Sequence, residues 1–411
     1  MTQQTDLTQA FRPLLTWLSR HVTTQYFIAG MTTVLFLVAW NRGIALLYGM
    51  VALLIAILAI SYLLPHMGMR KLSVRLSGTH RCQHGGTLTF PIQLNSGSAC
   101  RHIGISLDAF PDAIVTERPA FVSYVDGDSS ANLRVSCHLR GEYRIEQLRA
   151  CSSYPFGIHR ACREVECNGA SLLVHPRLFP LRELPYLGSS MQSSFGERSV
   201  HSINHYEDYA GAREYRHGDN PRHIHWAASA RHRSLIVREF ESHDLPALLI
   251  VVNCDPRDNV GTPPNTSFET GIEIAASMMQ YAATHGVAVE LVADGSRGFN
   301  LSLPAGRSLQ DNHLDQFARM RADANRDYRT QVDMACRRFA RMDTIVTFSL
   351  DSDESVPAVH GRQHIAIRFE RRSFEQPGVN IRPGEPIRRG NTVIYPIRCG
   401  DALDRVFDAR H

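Results

Sequence analysis

Two long apolar runs near the N-terminus constrain this chain more than any other feature. Residues 24–40 read TQYFIAGMTTVLFLVAW and residues 44–64 read IALLYGMVALLIAILAISYLL, and neither run contains a charged side chain. A helix needs about 20 apolar residues to cross the hydrocarbon core of a bilayer. A signal peptide would have a shorter apolar core and would not be followed at once by a second run. The pattern predicts a transmembrane helical hairpin at 24–64 after an N-terminal segment at 1–23. The alternative is a hairpin buried in a soluble core.

The charged residues that flank these runs predict the orientation of the hairpin. Cytoplasmic flanks of membrane helices are enriched in lysine and arginine. Both outer flanks carry several such residues, whereas the connector carries only Arg42. We therefore expect a two-pass protein of the bacterial cytoplasmic membrane, in contact with membrane lipid, with its N-terminus and its soluble domains in the cytoplasm. The outer basic residues are Arg12 and Arg20 before the hairpin, and Arg70, Lys71 and Arg75 after it.

Composition and missing motifs exclude several classes of function. The net charge of +4 is spread along the chain without a basic block, which gives little support for a nucleic-acid partner. The nine cysteines form no C-x-x-C pair, so we expect reduced, mostly structural thiols rather than a zinc knuckle. The chain also has no phosphate-binding loop, dinucleotide fingerprint, H-E-x-x-H or G-x-S-x-G motif. No cofactor is predicted.

The soluble part changes character along its length. Residues 70–180 contain short, partly alternating runs separated by Gly, Ser, Asn and Asp, a pattern typical of a β-sandwich. Within it, SSYPFGIHR is predicted to be a turn whose Phe156 is buried. Residues 181–244 form a connector. From 245 to 411, continuous apolar strands such as LPALLIVVN alternate with helical segments, which predicts an α/β domain.

The connector holds a highly charged stretch, REYRHGDNPRHIHWAASARHRSLIVREFE, at 213–241. Its arginines can pair with nearby carboxylates, and its aromatic rings offer faces on which guanidinium groups stack. SLIVREF alternates like an edge strand that leads into the α/β sheet. We interpret the stretch as an ionic and aromatic seam between the two soluble domains. The alternatives are a docking surface for a partner protein and a small-ligand or catalytic site.

The same stretch carries a resemblance to a known family. Its fixed spacings resemble the bacterial family called domain of unknown function 58. The resemblance implies a C-terminal domain like the von Willebrand factor A domain. It also implies a role beside AAA+ ATPases of the MoxR type and, often, beside membrane-bound transglutaminase-like proteins. The matching residues are Arg213, Tyr215, Gly218, Asp219, Arg222, Ile224, Trp226, Ala230, Arg231, Leu235, Val237, Arg238 and Glu239, and His225 lies among them.

Two departures from the family pattern bear on chemistry. Tyr154 stands where the family often has Asp before Pro-Phe-Gly. A metal-binding A domain has D-x-S-x-S after its first strand, whereas this chain has Asn253, Asp255 and Arg257 at the three ligand positions. A guanidinium at the last position would repel a divalent cation and could take over its charge. We therefore expect a degenerate site without metal.

These features together favour a non-enzymatic, membrane-anchored adaptor or scaffold that an AAA+ ATPase engages in cell-envelope assembly or in the maturation of protein complexes. Two alternatives stay open. One is a hydrolase-like enzyme that uses His223 and His225. The other is a metal-dependent adhesion module, which a divalent cation would stabilise.

Overall fold

A computed structural model describes residues 24–182, 184–185, 207–215, 225–232, 234–242, 247–351, 362–376, 378 and 384–407. The chain divides into two compact units, 1–176 and 177–411. Each unit is described by itself.

The first unit begins with two contacting helices, α1 (Thr24–Arg42) and α2 (Ala45–Met69). Among the described helices, only α2 is long and apolar enough to cross a membrane. It continues past the predicted end at Leu64, through Pro65, to Met69. The buried residues in its last turns are Ser61, Pro65 and Met69, which share one face because they are four positions apart.

Seven strands follow in one sheet, with the order β2-β7-β6-β3-β5-β4 and with β1 paired to β3. We call this region the β domain. Alternate residues of its strands, such as Phe90, Ile92 and Leu94, are buried in one continuous apolar core. The strands are β1 (Leu72–Arg75), β2 (Thr79–Gln83), β3 (Thr87–Ser106), β4 (Ile114–Arg118), β5 (Ala120–Cys137), β6 (Gly141–Ser152) and β7 (Ala161–His175).

Two expectations about the turn between β6 and β7 were wrong. Phe156, predicted to be buried, is 53 % exposed. Cys151 and Cys162, predicted to be reduced, form a disulfide. They lie directly opposite each other on β6 and β7, with their Cα atoms 4.1 Å apart. The two cysteines are 11 residues apart in sequence, so only the strand register brings them together.

The second unit contains a two-stranded antiparallel sheet built from the charged stretch. It consists of β8 (Glu207–Glu214), a short helix α3 (Trp226–His232) and β9 (Ile236–Ser242). SLIVREF was expected to lead into the α/β sheet as its edge strand. Instead β9 pairs antiparallel with β8. The paired residues run from Glu207 opposite Ser242 to Glu214 opposite Ile236.

The rest of the second unit is an α/β sheet with the order β14-β13-β10-β15-β16-β18-β17. The five strands from β13 to β18 are parallel, and β14 and β17 pair antiparallel at the two edges. The strands are β10 (Ala247–Val252), β13 (Ala288–Ala293), β14 (Phe299–Leu303), β15 (Thr344–Leu350), β16 (Gln363–Phe369), β17 (Ile387–Arg389) and β18 (Thr392–Ile397). A small hairpin of β11 (Gly261–Thr262) and β12 (Asn265–Thr266) precedes the longest helix. The helices are α4 (Ser267–Thr284), α5 (Asp311–Arg319), α6 (Tyr328–Arg338), α7 (Arg371–Glu375) and α8 (Leu403–Val406).

Local sequence explains the central elements of this sheet. All residues of β10 after Ala247 are buried, as expected of a parallel strand covered on both faces. At the start of α4, the Thr266 hydroxyl accepts a hydrogen bond from the Glu269 amide at 3.1 Å, which is one half of a capping box. Phe179 and Leu184 pack into the same core, so the chain just after the β domain belongs to this unit.

Candidate functional site

The carboxyl ends of β10 and β15 are where an open parallel sheet of this order places a ligand. Here a buried tyrosine joins the two strands. The Tyr328 hydroxyl donates to the Val251 carbonyl at 2.7 Å and accepts from the Phe348 amide at 2.9 Å. Burial raises the pKa of Tyr328 well above its usual value, so the group stays neutral. The gap between the strand ends is therefore bridged by the protein itself.

The three residues predicted to form a degenerate metal site, Asn253, Asp255 and Arg257, lie directly after β10. The Arg257 side chain donates to both oxygens of the Asp255 carboxylate, at 2.9 Å from Nε and 2.5 Å from a terminal nitrogen. Asp255 is only 3 % exposed, whereas the Arg257 side chain is 70 % exposed. The hydrogen bonds from Arg257 lower the pKa of Asp255 although burial opposes that shift. The one carboxylate among the three positions is thus already neutralised by a guanidinium.

Asn253 is also committed to internal contacts. Its side-chain nitrogen donates to Asp258 at 2.8 Å and to the Phe348 carbonyl at 3.3 Å, and its oxygen accepts from the Asp255 amide at 3.0 Å. The cavity between Asn253 and the end of β15 has a volume of about 10 Å³, room for no more than about one water molecule. In the part of the chain that the structure describes, no three His, Cys, Asp or Glu residues form a possible metal cluster. The polar groups of this crevice are therefore engaged with one another.

The charged stretch is described only in part. The backbones of Arg213, Arg238 and Glu239 lie on β8 and β9, where Arg213 pairs with Val237, Ala212 with Arg238 and Gly211 with Glu239. The turn residues Gly218, Asp219 and Arg222, and His223, lie outside the described residues. The predicted seam therefore stays a prediction.

The helix within the stretch is held by backbone contacts. The amide of Tyr215 donates to the Leu235 carbonyl at 2.7 Å, and the amide of His225 donates to the Ile236 carbonyl at 2.7 Å. Ser229, inside α3, links the helix to β9 because its hydroxyl accepts from the Ile236 amide at 2.8 Å. Trp226 is 68 % exposed and Arg231 is exposed too. These contacts fix a compact strand–helix–strand unit that presents an aromatic and a basic side chain on its surface.

A groove that the sequence did not reveal lies between β13, β14 and α6. It has a volume of about 610 Å³, and its lining includes Gln331, Arg337, Arg338 and the ion pair of Arg326 with Asp294. Gln331 is 2 % exposed, its side-chain nitrogen donates to the Arg326 carbonyl at 2.9 Å, and its buried side-chain oxygen has no hydrogen-bond partner among the described residues. The groove thus presents the positive charges of Arg337 and Arg338 to solvent. Only the packing of α6 beside the sheet edge brings these residues together.

Comparisons with known proteins give a family and slight structural likenesses. No curated protein matches the chain. Among solved structures, PapD-like domain 7 of human CEP192 is 11% identical, covers 26% of this chain and 87% of its own, and has a TM-score of 0.16. A family 123 glycoside hydrolase from Clostridium perfringens is 10% identical, with 27% and 28% covered and a TM-score of 0.16. The SrpA adhesin from Streptococcus sanguinis is 9% identical, with 30% and 74% covered and a TM-score of 0.16. These likenesses are too slight to bear on function.

The family match covers the charged stretch and the first half of the α/β sheet. Residues 211–346 match the model described as "Protein of unknown function DUF58". The matched range includes all of the residues on which the resemblance rested, from Arg213 to Glu239. The match confirms the resemblance of this region to the DUF58 family.

Proposed function

We propose that this protein is a non-enzymatic, membrane-anchored adaptor that an AAA+ ATPase of the MoxR type engages through the α/β domain. The observation that carries the proposal is the groove beside α6. The exposed guanidinium groups of Arg337 and Arg338 suit an acidic segment of a protein partner. The family resemblance supplies the identity of the ATPase, and a transglutaminase-like membrane protein is a second partner on the same ground.

The finer fold assignments belong to the same proposal. We propose a β-sandwich for the β domain, supported by its long alternating strands, and a von Willebrand factor A-like fold for the α/β domain. The position of β10 between the parallel strands β13 and β15, with an antiparallel β14 at the edge, supports the second assignment. In this adaptor the Asp255–Arg257 ion pair replaces a metal as the charge balance at the carboxyl end of β10.

We further propose that α1 and α2 both cross the membrane and leave the soluble domains in the cytoplasm. The basic flanks support this orientation. The Cys151–Cys162 disulfide favours the opposite orientation, because disulfides persist in oxidising compartments and are rare in the cytosol. The oxidation state of these two cysteines in cells therefore discriminates between the orientations.

The groove is tested by charge reversal in the full chain. Arg337→Glu combined with Arg338→Glu should lower crosslinking to the ATPase in native membranes about tenfold, because both changes repel an acidic segment. Arg307→Glu combined with Arg329→Glu is the matched control, since it makes the same change of charge at exposed residues outside the groove lining. Equal losses of crosslinking in both variants would show a general effect of charge and would overturn the assignment of the groove as the binding site.

A further inference from the structure

The last turn of α2 is fastened to the β domain by side chains. Ser98 and Cys100 on β3 each donate to the Gly68 carbonyl, at 3.2 and 2.7 Å. The Arg163 guanidinium on β7 donates to the carbonyls of Met69 at 3.0 Å and Arg70 at 2.6 Å. Carbonyls at a helix end have no partner inside the helix, so these contacts satisfy groups that would otherwise need water. The end of the apolar helix is therefore fixed against β3 and β7.

The loop between β6 and β7, residues 153–160, contacts the same helix end. The ring of His159 lies 5.1 Å from the ring of Tyr62 and 5.6 Å from that of His66, centroid to centroid. His159 also forms a 2.5 Å hydrogen bond with Gln25 of α1. Tyr62, at the end of the apolar run, is 55 % exposed, and tyrosine at the ends of membrane helices concentrates at the headgroup level. This loop lies at the level where a bilayer crossed by α2 would end.

Exposed aromatic side chains gather around one arginine beside this loop. Phe121, Tyr124 and Phe156 are 62 %, 49 % and 53 % exposed. The Arg101 guanidinium lies over the rings of Tyr124 at 5.5 Å and Tyr154 at 5.6 Å. We call these five residues the interfacial patch. Scattered exposed aromatics need no explanation, but a group of them around a cation at a membrane-helix end does.

The backbone at the centre of the patch adopts an unusual conformation. His102 has a φ of +52°, the one positive φ at a non-glycine residue in the described part of the chain. Its ring stacks on Tyr154 and meets Phe121 edge-on, both at 5.6 Å. Such a backbone persists only where surrounding contacts hold it, and it often marks a functional surface. The conformation sets His102 between two aromatic rings of the patch.

A cavity of about 470 Å³ connects the patch to the helix. Arg101, Tyr154, Ser98 and Ser152 line it together with the last residues of α2, from Leu64 to Met69. Among the described residues, no carboxylate forms an ion pair with Arg101, and the nearby Asp126 accepts a hydrogen bond from the Tyr124 hydroxyl at 3.0 Å. The cavity therefore has an apolar wall from the helix and a cationic group at its side, which matches the chemistry of a phospholipid with an anionic headgroup.

We propose that the interfacial patch lies in the headgroup layer of the bilayer that α2 spans, where Arg101 binds the phosphate of an anionic phospholipid and Phe156 inserts beside its acyl chains. This inference rests on the proposed membrane anchoring and adds a specific lipid site to it. Aromatic residues favour the interface, and a guanidinium near an anionic surface increases binding about fivefold. Binding of a protein to the interfacial patch is the competing assignment, because a protein could occupy the patch only when no lipid is bound there.

The test uses the full chain in nanodiscs of equimolar phosphatidylglycerol and phosphatidylcholine. The photoreactive residue p-benzoylphenylalanine replaces Phe156, and mass spectrometry identifies what it labels. We expect lipid adducts with phosphatidylglycerol favoured about fivefold. Arg101→Gln should remove that preference, and Arg101→Lys should keep most of it. The matched control places the probe at Val115, which is also exposed. Val115 pairs with Ser136, at the opposite end of β5 from Tyr124, so it lies away from the patch and should give no lipid adduct.

A second probe separates this inference from the membrane anchoring. The same photoreactive residue replaces Leu53, which is 62 % exposed on α2. Lipid adducts at Leu53 but none at Phe156 would overturn the lipid site and leave the anchor intact. No adduct at either position would overturn the anchor itself. Labelling of a protein by the Phe156 probe in native membranes, without lipid adducts, would assign the patch to a protein partner and reject the inference.

Discussion

Individual polar residues at the carboxyl ends of the strands satisfy one another. The buried Asp255 carboxylate pairs with Arg257, and the Asn253 side chain hydrogen-bonds to Asp258 and to β15. The Tyr328 hydroxyl bridges β10 and β15. The sequence identified the first three positions because they follow a recognisable apolar strand. It could not identify Tyr328, which lies 77 residues from its partner Val251 and reaches it only after α6 packs on the sheet.

Replacing the bridging tyrosine should destabilise the α/β domain. Tyr328→Phe leaves the Val251 carbonyl and the Phe348 amide without their partner inside the core, which costs about 2 kcal/mol. Chemical denaturation of the detergent-solubilised full chain measures the loss. Tyr124→Phe, at an exposed hydroxyl, is the control and should leave the midpoint unchanged. An unchanged midpoint for Tyr328→Phe would show that the bridge does not stabilise the strand ends.

A buried histidine should make stability depend on pH. His364 is 2 % exposed, lies 2.8 Å from the Thr347 hydroxyl, and burial lowers its pKa from 6.5 to about 4. The unfolded chain takes up the proton at a higher pH than the folded chain does. The contribution to stability is therefore complete above pH 6.5 and is lost as pH falls towards 4, by about 3 kcal/mol at most.

The variant His364→Gln isolates this effect from that of the carboxylates. It removes the titrating group and keeps a side chain that can bond to Thr347. The free energy of unfolding should fall less steeply in the variant than in the wild type between pH 6.5 and 4. Identical slopes would mean that the pKa of His364 is not lowered in the folded protein.

At the scale of elements, apolar patterning predicted most of the architecture. The strands β10, β13, β15 and β16 were expected from their apolar runs. Gly286, at the end of α4, has a φ of +69°, which is typical of the residue that ends a helix. The end of α2 was placed too early because its last carbonyls bond to the β domain, a tertiary contact that no local pattern contains. The pairing of β9 with β8 was missed for a similar reason, since β8 has no clear strand alternation.

The β6–β7 hairpin carries the prediction that tests orientation. Thiol trapping in intact cells with an alkylating reagent should find Cys151 and Cys162 reduced if the β domain is cytoplasmic, because cytosolic glutathione and thioredoxin keep thiols reduced. The purified protein should form the bond under oxidising conditions, and Cys151→Ser should abolish it. A bond already present in freshly trapped cells would place the β domain on the oxidising side of the membrane and contradict the basic-flank argument.

At the scale of the whole molecule, the sequence predicted the family match and the apolar helix but not the surfaces proposed for binding. The charged stretch was sufficient to identify the family from sequence because its fixed spacings are specific. Partner and substrate are properties of surfaces assembled from distant segments, such as the groove beside α6 and the interfacial patch. Sequence spacing alone could not predict either surface.

The most direct test of the adaptor role is affinity purification of the full chain from native membranes in mild detergent, with prior crosslinking and mass spectrometry of what accompanies it. We predict a MoxR-type ATPase crosslinked to the α/β domain, with the yield retained in His225→Ala and lost in the Arg337→Glu, Arg338→Glu variant. If no ATPase co-purifies and the protein alone turns over a substrate in a reaction that His225→Ala abolishes, the adaptor account is wrong and the charged stretch is a catalytic site.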